Sequence, residues 1–447
     1  MRVYIGGFNM WFEKTKKVGG GKVTKKIKIM GITVFKKEKG NKIRCRILGI
    51  PLFSVINKKS PFYAAHIQEE EKRAEVVKAL SAAEKTVLWI DHSLGGGTDV
   101  YSRGQFAAAD KSAAFLRLQY FSAFQRFLLS LPKADAETKC SFVSMDEVYS
   151  FLRPIHFDEI VVNNLVGYPD TIKILEYVAR LKESSGKKPK VSFRGHDYQC
   201  ICPSFNLLDC NGNFCNVHYA GGCEDCLSKK MLGNSSIENK ILRSGVQDME
   251  SWRTSWSAFF EKTVDEVVVF SEAVGQIFTS VYPQIDKKIK IIPHKTRSFP
   301  KAEVEPHKEV NIAMLGEISL HQKGGEVVRK MCGCLDRYPD VRLIVIGSYH
   351  NAPSNLRVTG KYAVEELPHI MKREKIDVVF IPSIWPETFS YTTSEAISMG
   401  LPVACYNLGA PAERVSVYDK GLVLKNIDAD ANLAQLVEFV KKIRKDS

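Results

Sequence analysis

A chain of 447 residues with 45% hydrophobic content has room for two full domains and a smaller appendage. No run approaches the roughly 18 apolar residues of a spanning helix, and the start, Met1-Arg-Val-Tyr-Ile-Gly-Gly-Phe-Asn-Met10, lacks the apolar core and cleavage site of a secretory leader. The expectation is a cytoplasmic protein whose 11 cysteines, an odd number, are mostly reduced thiols, and whose net charge of +14 is confined to residues 1–59, where 16 Lys and Arg face only Glu13 and Glu38.

That basic appendage carries an internal repeat. Lys26-Ile-Lys-Ile-Met-Gly-Ile-Thr-Val-Phe35 and Arg44-Cys-Arg-Ile-Leu-Gly-Ile-Pro-Leu-Phe53 align without gaps, 18 residues apart. Each reads as a short strand with a bend, and Glu38-Lys-Gly-Asn41 reads as a turn. Two such strands need a surface to pack on. Either they decorate the body with solvated lysines, or they dock on anionic lipid head groups, where each basic residue contributes about 1 kcal/mol. Aromatic stacking positions are missing, so no nucleic-acid partner is expected.

Residues 60–293 alternate strand and helix patterns. Candidate strands are Thr86–Asp91, Ser141–Ser144, Glu159–Asn163, Val191–Arg194, Glu266–Phe270 and Ile289–Ile292, with helices such as Gln68–Ala83 and Thr171–Lys182. This predicts an α/β domain with a doubly wound parallel sheet. After its first strand comes Asp91-His-Ser-Leu-Gly95-Gly96-Gly97-Thr98, whose three glycines let backbone approach a ligand with free N–H groups. No Gly-Lys-Ser/Thr follows, so it is not a P-loop; a ligand-free βα loop would read the same way. Arg194-Gly-His196-Asp197-Tyr198 ends another strand, and a histidine there is either a structural residue or a site residue. Six cysteines fill the excursion 200–226. Cys223-x2-Cys226 has zinc-ligand spacing, and Cys202 and Cys215 complete four sulfurs for a structural zinc; buried thiols or redox-labile surface cysteines are the competing readings.

A second series of strands, at 310–315, 341–346, 377–381 and near 401–406, predicts a further α/β domain joined near Pro293-His294. The apolar run Asp377-Val-Val-Phe-Ile-Pro382 leads into Trp385-Pro-Glu-Thr-Phe-Ser-Tyr-Thr-Thr-Ser-Glu-Ala396 and then a helix ending at Gly400. Glu387 and Glu395 flank a helix start at which the N–H groups of Ser390, Tyr391 and Thr392 point outward, a cradle for phosphate. Carboxylates beside such a cradle suit hydroxyl groups, and the combination describes a nucleotide-sugar. Asp428-Ala-Asp430 precedes the last helix and reads as a cap.

The Glu387-x7-Glu395 segment resembles the signature of retaining glycosyltransferases of the GT-B fold, specifically glycosyltransferase family 4. The likeness extends to Val310-Asn-Ile-Ala-Met-Leu-Gly316 followed by Lys323-Gly324-Gly325, and to Gly400-Leu-Pro-Val-Ala-Cys-Tyr406 and Gly409-Ala-Pro-Ala-Glu413. It implies two Rossmann-like domains facing a cleft: an acceptor-side domain, 60–293, and a nucleotide-sugar donor domain, 294–447, beside the 1–59 β appendage. By that resemblance Lys323 holds the leaving diphosphate, Glu387 the sugar hydroxyls, Glu395 the ribose, and His196 a sugar hydroxyl near the reacting carbon. Gly316 lies in the Gly-rich strand end that opens the donor domain, and Gly95, Gly96 and Gly97 line the cleft beside phosphate and acceptor. Catalysis would need no metal or cofactor beyond the nucleotide-diphosphate sugar as co-substrate. The acceptor would be a glycan or lipid-linked glycan of a bacterial surface polysaccharide such as capsule or lipopolysaccharide, with the enzyme cytoplasmic or peripheral on the inner membrane face. Glu317 stands where the family usually has Arg, which favours the alternative of a non-catalytic scaffold in a polysaccharide assembly complex; a GT-B phosphorylase or epimerase is a weaker third reading.

Overall fold

The computed structural model describes the backbone of residues 2–5, 8–19, 22–29, 32–39, 42–47, 50–56, 61–132, 138–218, 220–233 and 236–446, and the side chains from 69 onward within those ranges except 236–238. The chain divides into two compact units, one of Met1–Ala82 with Lys133–Ser141, the other of Ala83–Pro132 with Phe142–Ser447. The helix Pro61–Ser81 falls in the first of these units.

In the first unit six strands, Arg2–Ile5, Phe8–Gly19, Lys22–Ile29, Ile32–Lys39, Lys42–Ile47 and Ile50–Ile56, pair in chain order as an antiparallel meander. Each copy of the repeat spans two strands rather than one bent strand, with Ile27 opposite Phe35 in the first copy and Cys45 opposite Phe53 in the second. Basic residues meet in register: Lys26 lies opposite Lys36, which lies opposite Arg46. Like charges directly opposed across strands destabilise a sheet.

The second unit holds two sheets. Within this unit the N-terminal sheet includes, in order, Arg126–Leu131, Ala113–Phe121, Lys85–Asp91, Glu159–Val162, Lys190–Arg194, Glu266–Val269 and Ile289–Ile291, all parallel except Arg126–Leu131, which pairs antiparallel with Ala113–Phe121. The C-terminal sheet runs Arg357–Val358, Val341–Ser348, Val310–Glu317, Val378–Ile381, Val403–Tyr406, Gly421–Leu424, all parallel. Parallel strands covered on both faces read as unbroken apolar runs, and Val310–Leu315 shows why. Ile312 and Met314 pack with Val328 and Leu436 on one face, and Ala313 and Leu315 with Met371 and Leu401 on the other.

Both sheets reverse direction beside their first strand, between Lys85–Asp91 and Glu159–Val162 and between Val310–Glu317 and Val378–Ile381. Ligands of doubly wound folds bind at such switch points. The segments leaving these four strands carry His92–Gly95, which leads into the helix Gly96–Ala108, then Asn163–Asn164, Ile318–Lys323 and Pro382–Ser390.

One glycine fixes how closely two of those loops approach. Gly324 has φ +81°, and a Cβ there would sit 2.0 Å from the Pro382 carbonyl oxygen. Gly333, on the exposed side of the helix Gly325–Cys334, meets nothing. Gly324→Ala should therefore cost more than about 2 kcal/mol, combining left-handed strain with a backbone clash. Gly333→Ala should be neutral or stabilising by up to about 1 kcal/mol. Urea melts of the two variants check this, and equal midpoints would contradict the close approach.

Candidate donor site between the two domains

Lys323 stands at the end of a short 3₁₀ turn, His321–Lys323, and its Nζ lies 2.8 Å from Glu387 Oε1. The carboxylate also accepts from the Ser383 hydroxyl. Glu387 is 4% exposed. Burial pushes its carboxyl up, but the Lys323 ammonium and the Ser383 and Ser390 hydroxyls more than offset it, so its pKa lies below the ordinary value. A buried carboxylate is thus kept ionised by one lysine that is itself a third exposed.

The helix Tyr391–Ser398 starts at Ser390, whose φ is +69° and whose side chain caps no backbone N–H. The Ser390 hydroxyl instead accepts from Thr393 Oγ1 at 2.9 Å and lies 3.2 Å from Thr392 Oγ1. The loop is braced from below by Arg414, which donates to the Ser390 carbonyl at 3.1 Å and to Ser394 Oγ, and lies 4.5 Å from the Phe389 ring. Burial lowers the Arg414 pKa to about 10. Glu395 lies one helical turn further; burial raises its pKa, with Arg297 pulling partly back.

The N-terminal domain closes the other side. The His196 carbonyl accepts from Thr388 Oγ1 at 2.8 Å, and Tyr198 donates to the Pro386 carbonyl at 2.8 Å. Glu413 accepts from the Ala273 N–H at 2.9 Å, capping the helix Glu272–Val281 from the opposite domain. Gly97 lies against Tyr391: a Cβ there would come within 3.3 Å of that ring. Gly95 and Gly96 have φ +76° and +74° and open space where a side chain would be. Of the residues singled out from sequence, Lys323, Glu387, Ser390, Tyr391, Thr392, His196 and Gly97 are thus drawn to one place. Gly316, at φ +99°, lies beneath it on the Val310–Glu317 strand.

The His196 ring faces inward. Its Nε2 donates to Asn163 Oδ1 at 3.0 Å, and it is walled by Tyr101, Phe270 and His294. Burial, then His294 and His92, hold its pKa well below the usual value. His294 was not singled out from sequence beyond marking the domain joint. It stacks on Phe389 with centroids 4.3 Å apart, packs on Tyr101 and Phe270, and neither ring nitrogen has a hydrogen-bond partner among the described residues. Burial, with Arg414 adding to it, lowers its pKa to about 3. Next to His196, burial raises Asp197 to about 6 although Gln199 N–H and Asn164 donate to it.

Glu317 does not stand free. The Ser319 and Ser348 hydroxyls both donate to it, and these bonds outweigh burial and keep its pKa low. Arg297 pairs with Glu365, and Arg357 with Glu374 at 2.6 and 2.9 Å, so neither arginine is turned to the Glu317 carboxylate. Asp428 caps the last helix, accepting from Ala431 N–H at 2.8 Å, and Asp430 pairs with Arg337. Cys202, Cys215, Cys223 and Cys226 line one small cavity. Among the described residues, no three metal-ligating side chains already stand at coordination spacing.

Residues 295–446, the C-terminal domain, match the family model for Glycosyl transferases group 1. Among solved structures the chain is similar to Anabaena HepE in complex with UDP-glucose, 13% identical over 80% of this chain and 91% of that one with a TM-score of 0.50. It is likewise similar to sucrose-phosphate synthase from Thermosynechococcus elongatus, 14% identical over 80% and 90% with a TM-score of 0.51. No curated protein sequence matches the chain. The second unit has the GT-B fold, and the domain match together with that fold supports a glycosyltransferase.

The three buried histidines, His92, His196 and His294, make stability acid-sensitive. Burial lowers the pKa of each in the folded chain, and each protonates near 6.5 once unfolded, so below about pH 6.5 the unfolded chain binds more protons. His294 holds to about 3. Their contribution is complete above pH 6.5 and is lost on acidification through that window, at up to about 1.4 kcal/mol per pH unit per histidine. Urea melts from pH 7 to pH 4.5 should show the fall, and His294→Phe should remove about a third or more of the slope. An unchanged slope would mean that His294 protonates freely in the folded chain.

Proposed function

We propose that the protein is a retaining, metal-independent glycosyltransferase of family 4. It moves a sugar from a nucleotide-diphosphate donor to a growing bacterial polysaccharide or lipid-linked glycan. The observation that carries this reading is the Lys323–Glu387 pair at the donor-domain switch point, beside an uncapped helix start. The sugar hydroxyls would engage Glu387, and Glu395 would take the ribose. Lys323 and the N–H groups at Ser390–Thr392 would stabilise charge developing on the departing diphosphate, the term on which such transfer chiefly depends. The Gly95–Gly97 loop, closing on Tyr391, would exclude water that otherwise hydrolyses the donor. UDP-glucose in the HepE complex is the natural first donor to test.

Glu387→Gln and Lys323→Ala should each lower transfer by about 10²–10³-fold, the usual loss when a group stabilising developing charge is removed. Lys323→Ala should also lower the melting temperature, because it strands a buried carboxylate. The double variant Lys323→Ala/Glu387→Gln should recover the melting temperature and not the activity. Wild-type turnover in either single variant would refute the site.

A specific observation favours a second reading, a non-catalytic scaffold: Glu317 occupies the family's Arg position, and Arg297 and Arg357 are both paired away. Donor hydrolysis without acceptor, screened across nucleotide-sugars, separates the two readings. Turnover with any donor rejects the scaffold.

The appendage would hold the enzyme at an anionic bilayer. No helix among the described residues is long and apolar enough to cross a membrane. Lys26, Lys36 and Arg46 share one rung of the meander, and a row of basic positions is favoured beside an anionic surface. Replacing these three by Gln should weaken binding to vesicles containing anionic lipid while leaving transfer to a soluble acceptor unchanged. Wild-type binding should fall steeply as salt rises, since screening acts over about 8 Å at physiological ionic strength. Binding indifferent to both changes would refute the docking role.

A further inference from the structure

The excursion between Cys200 and Cys226 is the least regular part of the second unit. Between the strand Lys190–Arg194 and the helix Cys223–Met231 its only regular pairing among the described residues is the bridge Leu208–Phe214. Irregular segments of this length in compact domains need something besides secondary structure to hold them. Four of its cysteines converge. Cys223 and Cys226 lie in the first turn of the helix, and with Cys202 and Cys215 they line a cavity of about 20 Å³. That is room for one water-sized particle.

The two charged side chains that line the cavity are both cations. Lys230, on the same helix, is 8% exposed, and its ammonium donates to the Leu208 carbonyl. Arg253 donates to the carbonyls of Ile201 and Val217, with its guanidinium 3.9 Å from Cys223 Sγ. Neither cation has a carboxylate partner among the described residues. An ammonium taken out of water without a counter-charge is destabilising by several kcal/mol. Neutral thiols supply no counter-charge.

We propose that Cys202, Cys215, Cys223 and Cys226 bind one structural zinc ion in this cavity. Four S–H bonds break as four Zn–S bonds form, and four protons pass to solvent. The resulting cluster carries two negative charges, which Lys230 and Arg253 neutralise. Four thiolates are a closed tetrahedral set with no position left for substrate, so the ion staples the fold and takes no part in transfer. What the staple secures is the excursion's contact with the donor domain, where Gly212 O lies 2.9 Å from His321 Nε2, two residues before Lys323.

The test is metal analysis of the full chain purified without added metal or chelator. The expected result is one zinc per chain, with X-ray absorption showing four sulfur neighbours at about 2.3 Å. Cys223→Ser should lose the zinc, whereas Cys332→Ser, in the core of the C-terminal domain, should keep it. Should Cys223→Ser fail to fold, the wild-type absorption spectrum decides alone. Folded wild-type protein that holds no zinc and takes up no cobalt overturns the proposal, as does a spectrum with nitrogen or oxygen neighbours, or the discovery that these cysteines are joined as disulfides.

Discussion

The constraint on which the site depends is the need to keep the Glu387 carboxylate ionised where water scarcely reaches it. At 4% exposure it survives as an anion because Lys323 and two serine hydroxyls hold it. That demand explains the surrounding backbone. The Lys323 loop must come close to the Pro382–Ser390 loop, which is possible because Gly324 leaves the Pro382 carbonyl unobstructed. The same pair couples stability to function, since the charge that would meet a sugar is also one the fold must neutralise.

Around that pair the two domains meet through a seam that is aromatic more than ionic. His294, at the joint, is pressed among Tyr101, Phe270 and Phe389, while Thr388, Tyr198 and Glu413 bond across the cleft. Apolar stacking is non-directional and tolerates small displacements, whereas three hydrogen bonds fix register. The imidazoles are in this seam as neutral rings, and burial is the cause. Arg414 has a related role, with its guanidinium satisfied by the carbonyl and hydroxyl of the loop it supports.

Much of the architecture was legible because parallel strands buried on both faces carry continuous apolar runs, as in Val310–Leu315 and Val378–Ile381. The Ala113–Phe121 strand was not, because Arg117 and Gln119 interrupt its pattern. Arg117 is nonetheless buried, held at 2.6 Å by Asp91 from the adjacent strand. A charge whose partner lies 26 residues away looks like surface until the sheet is assembled. Arg357–Val358 escaped for a simpler reason, being two residues long.

The sequence by itself determined the repeated α/β order, the glycine-rich turns, the Glu387-x7-Glu395 segment and the confinement of the net charge to residues 1–59, because these are properties of neighbouring residues. Only the tertiary structure decided that Glu387 is buried against Lys323, that Glu317 is turned to two serines, that His294 lacks hydrogen-bond partners in an aromatic seam, and that two cations flank four thiols. Those outcomes depend on burial and on opposing charges brought together from distant segments. Solvent exclusion and partner distance set the state of an ionisable group, and neither is encoded in the spacing along the chain.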